Sequence, residues 1–327
     1  MATTLAITGI GGFIGSRLAE RAITAGFSVR GLDIDQAAAR RVEALGATVT
    51  VGDIHDGEVL REVFEGADWV IHTAAIVEES GDRDRFVRVN VEGTRSALKF
   101  ARKAGVKRFL HLSSVMVYGF EYPEGVEEDF EYQRAQNVYC ETKQLSDEDA
   151  LAAHAPGEFE VVVIRPGDVY GPGSTSWVDR PIELMKSGWF NLPEGGRGII
   201  NHVHVDNLID GIFLAIEADA TGEAFNITDG QATSALEFFR FHADMVGKRS
   251  VPVLPTSLIR GALAVAGPVL RLAGKELPAD PEALQFLMRM SKVSTEKART
   301  ELGYEPRISL EEGMKEIATR YAGLVSE

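Results

Sequence analysis

Three glycines near the start of the chain constrain its fold more than any other feature. Gly9, Gly12 and Gly15 follow a short apolar run at residues 5–8 and precede a stretch with helical apolar spacing that stops at Gly26. In such a strand–turn–helix unit, the first glycine allows the tight turn, the second lets the backbone approach a pyrophosphate, and the third lets helix and strand pack closely. The sequence therefore predicts a dinucleotide site at this turn.

An acidic residue ends the second predicted strand, residues 27–33. A carboxylate at Asp33 would accept hydrogen bonds from the adenosine ribose hydroxyls and would repel a 2′-phosphate, which favours NAD over NADP. The alternative for Asp33 is a solvated loop aspartate. Asp53 and Ile54 leave the third predicted strand and are candidates to flank the adenine, although an aspartate at such a place often caps the next helix.

Strands and helices alternate along the first half of the chain. Apolar runs predict strands at residues 5–8, 27–33, 48–51, 69–73, 107–113 and 159–165, with helices between them. This spacing predicts an α/β protein with a Rossmann-type, doubly wound parallel sheet. The pattern becomes irregular from the proline- and glycine-rich residues 166–173, which predict a loop. We expect a dinucleotide-binding domain at 1–170 and a smaller, mixed substrate-binding region at 171–327, with helix 205–218 packing back on the first domain.

Tyr139 and Lys143 are four residues apart in a predicted helix, so their side chains point the same way. A free tyrosine titrates near pH 10, and a nearby cation favours its phenolate, a combination that suits acid–base catalysis at neutral pH. Such a pair alone is usually accidental. Ser114 follows the fifth predicted strand and can reach the same point, so the three residues together predict a proton-transfer site.

Several other residues are candidates with weaker signals. Ala74 and Ala75 follow the fourth predicted strand, where small side chains leave room for a cofactor. Asn90 lies among apolar neighbours in the predicted helix 84–104, so it is either exposed or has a specific partner. His202 and His204 alternate on a short predicted strand, with no Cys, Asp or Glu cluster at zinc spacing. We predict a structural or substrate-facing role for them and no metal.

Composition excludes some classes of function. The net charge of −15 and the lack of a Lys/Arg cluster argue against nucleic-acid binding. The single cysteine, Cys140, rules out an internal disulfide and fits a reducing, cytoplasmic location. Residues 258–272 are apolar but contain two arginines and a proline, which is too short and too charged for a transmembrane segment. A lid, a core helix or a peripheral membrane contact remain the alternatives for residues 257–272.

Taken together, these motifs resemble those of the extended short-chain dehydrogenases/reductases of the NAD-dependent epimerase/dehydratase family. The resemblance covers residues 3 to about 230, with a looser C-terminal tail. The matching segments are Gly9-x-x-Gly12-x-x-Gly15, Asn90-Val-Glu-Gly-Thr94, Ser114 before Gly119, Tyr139-x-x-x-Lys143, Arg165-Pro-Gly-Asp-Val-Tyr-Gly-Pro, His204-Val-Asp206 and Phe225-Asn-Ile-Thr.

The resemblance implies a role for each matched residue. Tyr139 would exchange the proton of the substrate hydroxyl or carbonyl, and Ser114 would hydrogen-bond the reacting oxygen. Lys143 would lower the pKa of Tyr139 and hold the nicotinamide ribose, while Asn90 would support the nicotinamide side. Hydride would pass between the substrate carbon and NAD. Further cofactor contacts are implied for Phe13, Ile14, Ser113, Pro166 and Val169.

Two branches of this family compete for the substrate. Nucleotide-sugar epimerases and dehydratases usually carry an arginine and an asparagine for the diphosphate where this chain has the segment 200–202 and Asp168. A carboxylate would repel a diphosphate. The pattern more closely resembles the 3β-hydroxysteroid and sterol-4α-carboxylate dehydrogenases, which implies an apolar secondary alcohol or ketone, with a nucleotide sugar as the alternative. Trp177, Trp189 and Phe190 are either core residues or the lining of an apolar pocket. The candidate substrate residues are Ser114, Val115, Asp168, Trp177 and His202.

Two further expectations concern partners and catalytic competence. A regulator that binds the dinucleotide without turnover would have a broken Ser/Tyr/Lys set, and here Ser114, Tyr139 and Lys143 are all present. The resemblance also implies a homodimer joined through helices 84–104 and 139–153. We therefore expect an enzyme that acts on a small molecule.

Overall fold

The computed structural model describes residues 2–133, 135, 137–272 and 281–325. Residues 273–280 and 326–327 of the predicted substrate-binding region lie outside them. The strands are β1 (Thr4–Thr8), β2 (Ser28–Asp33), β3 (Thr48–Val51), β4 (Trp69–His72), β5 (Arg108–Leu112), β6 (Glu160–Pro166), β7 (Asp168–Tyr170), β8 (Ile199–Ile200), β9 (His202–His204), β10 (Ala224–Ile227) and β11 (Thr233–Ser234).

Seven of these strands form one parallel sheet in the order β10-β6-β5-β4-β1-β2-β3. The strand order reverses between β1 and β4, and in open α/β sheets a ligand binds at the carboxyl ends of the strands beside such a reversal. The predicted Rossmann-type, doubly wound sheet is therefore confirmed. The Gly9 turn leaves β1 at this edge.

Successive residues of each strand face opposite sides of the sheet. Leu5 and Ile7 belong to one apolar core, whereas Ala6 belongs to the other. Leu110 and Phe109 divide in the same way. Because both faces are covered, the central strands β1, β4, β5 and β6 are buried along nearly their whole length and are mainly apolar, which is why they were visible in the sequence.

Helices cover both faces of this sheet. They are α1 (Phe13–Thr24), α2 (Gln36–Glu43), α3 (Gly57–Phe64), α4 (Arg83–Phe86), α5 (Gly93–Lys103), α6 (Val138–Ala152), α7 (Arg180–Ser187), α8 (Val205–Glu217), α9 (Ala235–Met245), α10 (Thr256–Leu272), α11 (Ala283–Phe286), α12 (Glu296–Leu302) and α13 (Leu310–Val325). Buried residues of α1 and α8 share one core with the sheet, and those of α3, α5 and α6 share the other. None of the helices described is both long and apolar enough to cross a membrane.

The second part of the chain has an apolar cluster of its own, built from α7, α9 and α13 with Tyr170 of β7. Here the sequence prediction was incomplete. β7 lies inside the predicted loop 166–173, because its three residues pair only with β9, more than thirty positions later. The helices α9, α11 and α12 were not predicted, and α7 is preceded by a π-helical turn (Thr175–Asp179).

Candidate active site

The glycine turn after β1 brings three backbone segments into direct contact. A Cβ atom added to Gly15 would lie 2.2 Å from the carbonyl oxygen of Gly9, and one added to Gly9, which has a φ of 69°, would lie 2.8 Å from Cα of Ala74. Only glycine therefore fits at these two positions. A Cβ at Gly12, the second glycine of the motif, would meet only the oxygen of Gly9, at a tight 3.3 Å, so this position is crowded on one side only.

The same turn leaves the N-terminus of α1 open to a ligand. Gly12 is the N-cap residue, and no side chain in the described part of the chain caps the helix or places an acidic group in its first turn. The first backbone N–H groups and the positive end of the helix dipole are thus free to bind an anion. These residues fit the pyrophosphate of a dinucleotide.

Asp33 is fixed against the glycine turn and not in a loose loop. Its Oδ2 accepts a hydrogen bond from the backbone N–H of Gly11 at 2.8 Å, and its Oδ1 accepts from Asp35 N at 2.9 Å. Asp35 has a different role, because its carboxylate caps α2. The carboxylate of Asp33 therefore lies against the glycine turn, at the end of β2.

Asp53 and Ile54 lie farther along the same edge. Asp53 accepts a hydrogen bond from His55 N at 2.9 Å, and its carboxylate is 3.6 Å from Arg88. The residue that caps α3 is Asp56, so Asp53 is not a helix cap. The side chain of Ile54 is buried against Gly93. Neither residue lines either of the two cavities described below, and their place beside the adenine stays a prediction.

A first cavity of about 1110 Å³, including its open mouth, extends from the glycine turn across the ends of the central strands; we call it the dinucleotide cavity. Ala74, Asp33 and Asn90 lie outside its lining. The predicted cofactor residues that line it are Gly9, Gly12, Phe13, Ile14, Gly15, Ala75, Ser113, Tyr139, Lys143, Pro166 and Val169.

Ser113 shows that this cavity is built for a polar ligand. Its hydroxyl oxygen is buried and has no hydrogen-bond partner within the described residues. Buried hydroxyl groups are nearly always hydrogen-bonded, so an unpaired one on a cavity wall marks a place for a ligand atom. Together with the open helix terminus, it makes the dinucleotide cavity suitable for NAD.

The Ser114, Tyr139 and Lys143 side chains meet at one end of this cavity. Tyr139 and Lys143 project from the first turns of α6, while Ser114 precedes a 3₁₀ turn (Val115–Tyr118) and accepts a hydrogen bond from Met116 N at 3.1 Å. Lys143 Nζ donates to the carbonyl oxygen of Leu112 at 3.0 Å. This bond ties α6 to the end of β5 and sets the distance between the phenol and Ser114.

Burial dominates the titration of both α6 residues. It raises the pKa of Tyr139 to about 12, and the hydrogen bond that Ser114 donates to the phenolate offsets part of this increase. Burial also lowers the pKa of Lys143 to about 8, whereas the Asp147 carboxylate one turn away raises it. Burial outweighs the other influences on the Tyr139 pKa, which favours the protonated phenol at neutral pH, and the lowering of this pKa by Lys143 that the resemblance implies stays a prediction.

Asn90 binds the loop after β4. It lies in a π-helical turn (Val87–Glu92) and is buried. Its Oδ1 accepts from Ile76 N at 2.7 Å, and its Nδ2 donates to Ile76 O and to Thr142 Oγ1, both at 3.1 Å. Asn90 thus joins the loop to α6, and its support of the nicotinamide side stays a prediction.

A second cavity, of about 1000 Å³ with its mouth, opens on the other side of Tyr139; we call it the apolar cavity. It shares Tyr139 and Trp177 with the dinucleotide cavity. Its walls are mainly aromatic and aliphatic, and include Pro181, Leu184, Trp189, Phe190, Phe239, Ile259, Leu263, Leu284, Phe286 and Leu287. The inner face of α10 thus forms a wall of this cavity.

Two of the candidate substrate residues lie elsewhere. Val115 is buried in an apolar cluster beneath the 3₁₀ turn, and its neighbour Met116 lines the dinucleotide cavity instead. His202 is fully buried, with its ring nitrogens 2.9 Å from Asp229 Oδ2 and 2.8 Å from Thr233 Oγ1. Neither side chain lines the dinucleotide cavity or the apolar cavity, and their assignment to the substrate stays a prediction that this geometry does not support.

Asp168 lines the dinucleotide cavity, but its charge is compensated by a residue that the sequence did not reveal. Arg289 is fully buried and donates from Nη2 to Asp168 Oδ2 at 2.5 Å. The argument that Asp168 would repel a diphosphate therefore loses its basis. An arginine inside the apolar run 284–290 is the only sequence signal for this contact, which joins residues 121 positions apart.

A second buried ion pair lies behind Lys143. Arg165, at the end of β6, donates to both oxygens of Asp147, at 3.0 and 2.9 Å. Its guanidinium also lies over the rings of Tyr118 and Tyr132. Because Asp147 is one turn after Lys143 on α6, this pair fixes the helix that carries the proposed acid–base group.

Comparisons with known proteins identify the family of this chain. The model of the NAD dependent epimerase/dehydratase family matches residues 5–228. The chain is 31% identical over 322 residues to a 4-hydroxy-2-methyl-3-oxo-4-farnesyl-3,4-dihydroquinoline-1-oxide ketoreductase of Stigmatella aurantiaca, covering 97% of this chain and 96% of that protein. It is 29% identical over 343 residues to a 3-beta-hydroxysteroid dehydrogenase of Mycolicibacterium neoaurum, covering 97% and 91%.

The fold is also similar to solved structures. The UDP-glucuronic acid 4-epimerase of Bacillus cereus, in complex with NAD, superposes with a TM-score of 0.78 at 22% identity, covering 98% of this chain and 99% of that one. At this identity the likeness shows the fold alone. On the family model and the relatives, which are named as dehydrogenases and reductases, this chain belongs to the NAD dependent epimerase/dehydratase family, among its oxidoreductases.

Proposed function

We propose that the chain interconverts a secondary alcohol and a ketone on a large, mainly apolar molecule, with NAD as the redox partner and Tyr139 as the general acid/base. The observation that carries this proposal is the apolar cavity, which opens directly on Tyr139 and joins the dinucleotide cavity there. The relatives named for a farnesylated quinoline oxide and for a 3β-hydroxysteroid support an apolar skeleton.

Each site residue has its own role in the proposed reaction. Tyr139 carries a proton at neutral pH, because burial raises its pKa, and this is the form that protonates a carbonyl oxygen during reduction. In the opposite direction the same oxygen takes the hydroxyl proton. Ser114, which hydrogen-bonds to Tyr139, orients the reacting oxygen, and Lys143 holds the nicotinamide ribose. When bound, NAD supplies or accepts the hydride.

Asp33 supports NAD over NADP, since a 2′-phosphate at the end of β2 would face its carboxylate.

The homodimer through helices 84–104 and 139–153 stays a prediction. The charges on these helices, such as the pair between Arg95 of α5 and Asp149 of α6 at 2.7 Å, offer a polar surface for it. Sedimentation velocity tests it directly.

The substrate class is tested by thermal unfolding in the presence of NAD. A ligand that binds the folded protein raises the melting temperature. The panel contains 3β-hydroxysteroids, long-chain alcohols and ketones, UDP-sugars and dTDP-sugars. We expect shifts with the steroids or the long-chain compounds. A shift confined to nucleotide sugars would overturn the apolar substrate and favour an epimerase or dehydratase.

The role of Tyr139 is tested by Tyr139→Phe. The ring remains but the exchangeable proton is lost, so turnover on a substrate identified in the panel should fall by about a hundredfold or more. The dissociation constant for NAD should change little. Tyr321→Phe makes the same chemical change on α13, away from both cavities, and should retain full turnover. Near wild-type turnover of Tyr139→Phe would remove the residue from the mechanism.

A further inference from the structure

The rim of the apolar cavity carries an ion pair that the proposed reaction does not use. Arg180, the first residue of α7, donates from Nη1 to both carboxylate oxygens of Glu79 at 2.8 Å. Both side chains line the cavity and are only 34% and 22% exposed, so water screens the pair incompletely. Glu79 lies in the loop after β4, and the pair therefore joins the two sides of the cavity.

The other charged side chain of the cavity wall, Glu78, has a partner of its own. Glu78 also lines the cavity, and its carboxylate bonds to Arg85 at 2.9 and 3.0 Å, outside the lining. Among the described residues that line the apolar cavity, the charged side chains are thus two carboxylates and one guanidinium. That guanidinium is already engaged by Glu79.

A free guanidinium in an apolar cavity would attract a carboxylate, because the planar fork matches its two oxygens. Glu79 occupies Nη1 of Arg180 and offsets its charge, so a substrate carboxylate must either displace Glu79 or bind the remaining N–H groups beside a like charge, whereas an uncharged molecule needs no cation. We propose that Glu79 determines the charge specificity of the apolar cavity: by holding Arg180, it admits uncharged substrates and excludes those that carry a carboxylate. This inference rests on the proposed function, since it assigns the substrate to this cavity.

The test measures binding and not turnover. The probes are decanoate and 1-decanol, which share a ten-carbon chain and differ in charge. Trp177 and Trp189 line the cavity, so quenching of tryptophan fluorescence reports occupancy. Glu79→Gln keeps the shape of the side chain but removes its charge and frees Arg180. We expect its affinity for decanoate to increase by about tenfold or more, and its affinity for 1-decanol to stay within about twofold.

Three further variants keep the result interpretable. Glu79→Ser also removes the charge with a smaller side chain and should show the same gain. Glu78→Gln removes one negative charge from the same wall without freeing Arg180, and should leave decanoate affinity near that of the wild type. In Glu79→Gln/Arg180→Gln the gain should disappear.

Several results would overturn the inference. One is unchanged decanoate affinity in both Glu79 variants while 1-decanol still binds. Another is an equal gain in Glu78→Gln, which would indicate a general effect of net charge. Binding of neither probe to the wild type would contradict the apolar cavity itself, and with it the proposed function. That outcome is distinct from a failure of the Glu79 role alone.

Discussion

Alanine at Gly12 and alanine at Gly15 should damage the protein in different ways. Gly12 has φ −68° and ψ 171°, a conformation open to any residue, and its added methyl would contact only an oxygen at 3.3 Å. Gly12→Ala should therefore fold with a free energy of unfolding within about 1 kcal/mol of the wild type. The methyl group occupies the wall of the dinucleotide cavity, so NAD binding should weaken by about 1.4 to 2.8 kcal/mol, or ten- to a hundredfold.

Gly15→Ala should instead destabilise the fold. Its methyl would lie 2.2 Å from the Gly9 carbonyl oxygen, a backbone atom that cannot rotate away, so α1 must move off β1. Overpacking of this kind costs about 1 to 3 kcal/mol or more, which exceeds the roughly 1 kcal/mol that alanine gains over glycine in a helix. NAD affinity should decrease as well, because the helix terminus moves.

Urea unfolding without NAD and calorimetric titration with NAD measure the two effects separately. Gly261→Ala is the matched control, since no atom of the described residues lies within 4 Å of a Cβ at this position in α10. It should leave NAD affinity unchanged. Normal NAD binding by Gly12→Ala, or a loss of stability in it equal to that of Gly15→Ala, would refute the assignment of separate roles to the two glycines.

Two further predictions concern charge. Asp33→Ala should reduce the preference for NAD over NADP, measured as the ratio of the two dissociation constants; a wild type that binds both equally would remove Asp33 from the site. Burial lowers the pKa of Lys143 from 10.5 to about 8, so between these pH values the unfolded chain binds more protons than the folded one and stability rises with pH. From pH 7 to pH 10 the free energy of unfolding of the wild type should increase by roughly 2 to 3 kcal/mol relative to Lys143→Met. If denaturant unfolding gives the same difference in free energy of unfolding between the wild type and Lys143→Met at pH 7 and at pH 10, the lowered pKa of Lys143 is contradicted.

The central strands of the sheet were predictable because they are buried on both faces. The edge strand Thr48–Val51 is partly exposed and was recognised instead from its β-branched residues and the glycine that follows; it matches its prediction residue for residue. β7 was not predictable, because its pairing with β9 depends on a distant segment. In α9, the adjacent Phe238 and Phe239 are both buried, which obscures the one-sided apolar pattern by which a surface helix is recognised.

The site residues also differ in how far their positions follow from the local sequence. Tyr139 and Lys143 are one helical turn apart, so their common direction follows from local geometry. The partners of Asp168 and Asn90 do not follow from local geometry, because Arg289 and the loop at Ile76 come close to them only in the folded chain. The sequence argument treated Asp168 as an unpaired carboxylate, whereas the buried ion pair with Arg289 compensates its charge.

The proposed division of the chain at residue 170 is a division by role. The two parts are not independently folding units. β10 completes the edge of the parallel sheet beside β6, and α8 covers the face that it shares with α1. A fragment that ended at residue 170 would expose the apolar surface of β6 and leave Asp168 buried or solvated without Arg289. Limited proteolysis between the two parts should therefore yield fragments that remain associated, and the halves could not be exchanged with those of a relative as interchangeable modules.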